Sequence, residues 1–104
     1  MTLNHINPVT QANYHRIVEI IQQQGIKFIG VQYPVRIIDS LKKMLNPFKD
    51  IIFVDNERIF KDAVKQDGYE DYFSDSFGGN FGHCTPKGNR LLAENVANAI
   101  LNQL

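Results

Sequence analysis

The residues best suited to chemistry lie together near the C-terminal end. They run Phe77-Gly78-Gly79-Asn80-Phe81-Gly82-His83-Cys84-Thr85-Pro86-Lys87-Gly88-Asn89-Arg90. Three glycines within five residues let the backbone turn tightly and reach positive φ. Thr85-Pro86 reads as a helix N-cap followed by proline at the first helical position. Leu91, Leu92, Val96, Ala99, Ile100 and Leu104 then recur at helical spacing. His83 therefore stands just outside a helix N-terminus, on a loop that the helix holds. The positive end of the helix dipole favours a neutral imidazole there, the form a general base needs. A capping or loop histidine bonded to backbone is the plain alternative.

The neighbouring residues have their own readings. Asn80, three residues before His83, can accept the imidazole N–H through its amide oxygen, or serve as an ordinary turn residue after Gly78-Gly79. Cys84 directly follows the histidine, an arrangement that rarely aims two side chains at each other; a buried packing cysteine is the preferred reading. His5, His15, His83 and Cys84 have no recognised metal-ligand spacing, so no metal or cofactor is expected. Gly78-Gly79-x-x-Gly82 lacks the spacing of a dinucleotide fingerprint.

The elements that must position this loop follow from hydrophobic periodicity. Asn7-Pro8 opens a helix carrying Val9, Ala12, Ile17, Ile20 and Ile21, with Gly25 at its end. Lys27–Tyr33 is a β-rich run, apolar on both faces and stopped by Pro34. Val35 to Leu45 is expected to form a second helix, ended by Asn46-Pro47. Ile51–Val54 is a second buried strand. Asp55-Asn56-Glu57 then begin a third helix that Gly68 closes; as the carboxyl end of a strand, they also lie on the ligand side of an open α/β sheet, with the helix cap preferred. Tyr69, Tyr72 and Phe73 form an aromatic connector into the glycine loop. These aromatics, with Phe77 and Phe81, line either a pocket or the floor of a core.

This order predicts one α/β domain over 1–104, with about two parallel strands and four helices. Two parallel strands cannot make an independent sheet covered on both sides. Their open edges make the domain incomplete, its sheet finished by another chain or by a second copy of this one. A homo-oligomer or a missing N-terminal half is the partner so implied.

Bulk properties set outer limits. Hydrophobic residues make up 43% and charged residues 21% of the 104, as in an ordered globular protein. Eleven basic and eleven acidic side chains cancel, and no basic stripe argues for nucleic acid. No apolar run is long enough to span a membrane. One cysteine excludes an internal disulfide. Met1-Thr2-Leu3-Asn4-His5 lacks the features of a signal peptide, but a truncated chain could have lost one, and no localisation is assigned.

The glycine loop resembles the last conserved block of the SGNH/GDSL hydrolases, in which Asp-x-x-His is followed by Thr or Ser, Pro, Gly and the final helix. Here the block reads Asn80-Phe81-Gly82-His83, then Thr85-Pro86-x-Gly88 and Leu91-Leu92-Ala93-Glu94. The resemblance implies a flavodoxin-like three-layer sandwich of which this chain is the C-terminal half. It implies that His83 is the base of a serine esterase or acyl hydrolase acting on small or lipid esters, and puts Asn80 where the orienting aspartate would stand. The Gly-Asp-Ser block with the nucleophile is absent, as are the blocks that supply oxyanion-hole donors. Ser40, Ser74 and Ser76 are not in a comparable strand-to-helix elbow, so the chain alone is expected to be inactive. A non-catalytic α/β assembly module, its glycine loop a mere connector, is the alternative.

Overall fold

The computed structural model describes residues 6–77 and 79–103. Gly78 of the glycine loop, His5 and Leu104 lie outside the described residues. The chain is α/β: α1 (Pro8–Gln23), β1 (Phe28–Val31), α2 (Ile38–Leu45), β2 (Ile51–Val54), α3 (Glu57–Asp67), α4 (Tyr69–Tyr72) and α5 (Pro86–Leu101). The two strands pair in parallel, with Phe28 opposite Ile51 and Val31 opposite Val54. The described residues form five helices rather than four, because a single turn, α4, forms within the aromatic connector.

Local chemistry sets most boundaries. Asn7 Oδ1 accepts the N–H groups of Val9 (2.9 Å) and Thr10 (3.2 Å), and Pro8 occupies the first helical position. Asp55 Oδ1 accepts Glu57 N–H at 2.9 Å at the start of α3. Thr85 Oγ1 accepts Gly88 N–H at 3.1 Å at the start of α5.

The second helix begins later than its periodicity predicts. Pro34 sits at the second position of a turn closed by Arg36 N–H to the Tyr33 carbonyl, 3.1 Å. Val35, at the third position, has φ 71°, as a type II turn requires. A buried β-branched residue in the left-handed region is strained, and it keeps residues 35–37 out of the helix.

Alternation along β2 directs its two faces to different layers. Phe53 and Leu41 of α2 both close over the side of Gly30. Ile52 and Val54 are the buried residues of the opposite face, and α5 packs on β2 through Asn95, whose Nδ2 donates to the Asp55 carbonyl at 2.9 Å. α1 joins α2 where His15 Nε2 donates to the Met44 carbonyl (2.9 Å) and its ring meets Phe48 edge-on. The best-covered core is formed by Val35, Phe60, Tyr72 and Phe73, with Ile59, Leu91 and Leu92 packed around it.

The molecule is a slab of 42 × 37 × 17 Å with a radius of gyration of 14.9 Å. A compact domain of this length would have about 13 Å. Val9, Ile17 and Ile20 of α1, together with Ile26 and Val31, remain exposed. The described sheet leaves one edge of each strand without a strand partner.

Candidate active site

Asn56, fully buried, ties the carboxyl ends of the strands together. Its Nδ2 donates to the Gln32 carbonyl (2.7 Å), its Oδ1 accepts Asn95 Nδ2 (2.7 Å), and its carbonyl accepts Val35 N–H (3.2 Å). Of the three residues expected to cap α3, Asp55 does the capping and Asn56 builds this network. Two residues beyond β1, the Tyr33 hydroxyl donates to the Gly82 carbonyl at 2.7 Å. Tyr33 also packs against Phe81 and Phe77, at ring separations of 5.5 and 6.2 Å. These contacts fasten the glycine loop beyond the carboxyl end of β1, the side on which open α/β sheets hold ligands.

Both ends of the loop are fixed to the core. Ser74 N–H donates to the His83 carbonyl at 2.8 Å, and Phe77 N–H donates to the Phe81 carbonyl at 3.2 Å. Thr85 N–H donates to the Tyr72 carbonyl at 3.0 Å, while the Thr85 hydroxyl donates to the Asp71 carbonyl. The chain that leaves after Asp75 thus returns beside its starting point at Gly82 and His83.

The return brings Asp75 against His83. Asp75 Oδ2 lies 2.6 Å from His83 Nδ1, and Asp75 Oδ1 accepts the His83 backbone N–H at 2.7 Å. The backbone N–H bond first, and the imidazole bond second, hold the Asp75 carboxyl below its ordinary range. An ionised carboxylate can only accept, so Nδ1 carries the hydrogen, and in the neutral ring Nε2 is the nitrogen with the lone pair. Nε2 has no hydrogen-bond partner among the described residues, and the His83 side chain is 72% exposed. Gly82 makes the approach possible: a Cβ there would overlap the Asp75 carbonyl oxygen.

The side chain that holds the His83 ring is therefore Asp75, where the resemblance put Asn80. Asn80 is exposed and lines a groove with Val35 and Lys61. The physical reason is the excursion, which places a carboxylate eight residues away closer than the amide three residues away. Sequence reading passed over Asp75 because nothing local marks where the loop closes. The one available signal was its position between the aromatic connector and the glycines.

The remaining candidates separate from His83. Cys84 turns inward onto the Phe60–Phe73 core, and burial pushes its thiol pKa up, against thiolate formation. His15 is engaged at the α1–α2 contact, and His5 lies outside the described residues. No group of three or more potential metal ligands occurs among the described residues. Ser74 and Ser76 flank Asp75, but their hydroxyls bond to the carbonyls of His83 and Gly79, each at 3.3 Å. Phe77 packs 5.0 Å from the His83 ring and 4.9 Å from Phe81, giving the imidazole an aromatic neighbour on an open surface.

Comparison with known proteins finds no matching family model, no matching curated protein and no matching solved structure.

Proposed function

We propose that this chain is the C-terminal, base-supplying part of a serine ester hydrolase of the SGNH/GDSL type. The observation that carries the reading is the Asp75–His83 pair, with Nδ1 held by a carboxylate and Nε2 unpartnered. His83 Nε2 takes the proton of a serine hydroxyl as that oxygen attacks the ester carbonyl. It then returns the proton to the departing alcohol. Asp75 fixes the tautomer and stabilises the imidazolium formed in between. The chemistry calls for no cofactor.

The serine and the oxyanion-hole donors come from outside these residues. The unpaired edge of β1 and the exposed Ile17, Ile20, Ile26 and Val31 support a partner that completes the sheet, whether an N-terminal half or a second copy. The openness of His83 fits a site of which only one wall is present. A non-catalytic assembly module draws support from the same exposed surface, since docking alone accounts for it.

Hydrolysis of p-nitrophenyl acetate separates the two. The chain alone should act no faster than an equal concentration of imidazole, because nucleophile and oxyanion donors supply most of the rate in known triads. Supplied with a polypeptide carrying the Gly-Asp-Ser segment, it should turn over ester, and His83→Gln should abolish that turnover. Activity indifferent to H83Q would leave only the assembly reading.

A further inference from the structure

The strained turn at Val35 floors a surface groove that the proposed reaction does not use. The groove encloses about 190 Å³ and is walled by Arg36, Ile37, Ser40, Glu57, Lys61 and Asn80. Past Val35 and Asn80 it continues into a second hollow of about 190 Å³, bounded by Val64, Lys65 and Tyr69. Val35, Ile37, Val64 and Tyr69 give it an apolar interior. Arg36, Lys61 and Lys65 stand on its rim against one carboxylate, Glu57.

That carboxylate is already matched by Lys61, 2.7 Å away. Neither Arg36 nor Lys65 has an acidic partner among the described residues. Arg36 instead lies 5.4 Å over the Phe81 ring, on the loop that carries His83. Apolar interior and surplus positive rim complement a ligand that is aliphatic along its length and anionic at one end.

We infer that the groove between α3 and the Val35 turn binds an aliphatic carboxylate. The assignment rests on the hydrolase reading only for its purpose. In that setting the groove selects esters that carry a free carboxylate away from the scissile bond, with Arg36 as the specificity-determining residue. The binding itself needs no catalysis.

The test is a titration of the isotope-labelled chain with hexanoate, and separately with hexanamide, followed by amide chemical shifts. Hexanoate should move the signals of Val35, Ile37, Val64 and Asn80 saturably. Hexanamide, of the same length but neutral, should bind about fivefold more weakly, as expected for one solvent-exposed charge pair. Arg36→Gln should remove that difference, and Arg36→Lys should keep most of it. Equal binding of the two ligands, shifts confined to other parts of the molecule, or a hexanoate affinity unchanged in R36Q would each overturn the assignment. No ester is present, so the result stands apart from the fate of the hydrolase reading, which the H83Q comparison decides.

Discussion

Asp75 grips His83 at two points: one carboxylate oxygen takes the imidazole Nδ1–H and the other takes the backbone N–H of the same residue. The double contact fixes ring and backbone together, so the imidazole cannot turn without breaking a charge-assisted bond. The pair should behave as a unit. In an esterase-competent form of the protein, Asp75→Asn should lower kcat by about 10⁴-fold, the cost of losing the orienting carboxylate in serine proteases. Asn80→Ala should cost kcat far less than D75N does. Steady-state kinetics on the two variants checks the assignment, and a larger loss in N80A would return the role to Asn80.

The acid stability of the chain should depend on Asp75. Its carboxyl pKa in the folded state is lowered, chiefly by the His83 backbone N–H and then by the imidazole. A lowered carboxylate contributes stability that is present above the unfolded value of about 3.9 and is lost as pH falls through the folded value. The urea midpoint of the wild type should therefore fall more steeply than that of D75N below about pH 4. Parallel acid limbs would show that the pair adds nothing to folding.

Gly82→Ala should destabilise the chain by about 1–3 kcal/mol, the range for forcing an extra carbon into filled space. The added methyl overlaps the Asp75 carbonyl, so the loop must move and the Asp75–His83 contact must loosen. Thermal unfolding reads the first effect and the His83 ring nitrogen shifts read the second.

Asn56→Ala should cost about 1–3 kcal/mol in all, because it removes a fully buried amide from partners that are half-buried. The Gln32 carbonyl loses its bond from Nδ2, and Asn95 Nδ2 loses Oδ1. Equilibrium urea unfolding measures the loss, and an unchanged midpoint would mean that water replaces the amide.

Light scattering at micromolar concentration should find the purified chain associated rather than monomeric. The slab shape, the unpaired strand edges and the exposed isoleucines of α1 all leave apolar surface to be covered. A monodisperse monomer that unfolds cooperatively would sink this expectation.

The legible features were those with short-range causes. Asn7-Pro8 and Thr85-Pro86 announced two helix starts, because a cap and its N–H partners lie within three residues of each other. The run Ile51–Val54 announced a strand through its unbroken β-branched and aromatic content. The late start of α2 was less legible, since Ile38, Leu41 and Leu45 keep helical spacing with residues 35–37. Pro34 was the signal, because it commits those residues to a turn.

Residue pattern alone places His83 before a capped helix, on a glycine-rich loop, in a chain of mixed helices and parallel strands. These follow from propensity, capping and periodicity, which act over a few residues. What His83 touches depends on how distant segments pack together. The chain leaves after Asp75 and returns at Gly82, Gly82 yields its side-chain volume to Asp75, and Tyr33 clamps the loop from beyond β1. Each of those contacts joins residues whose separation along the chain says nothing about their distance in space, because it is set by where the loop closes and what the core beneath it holds still.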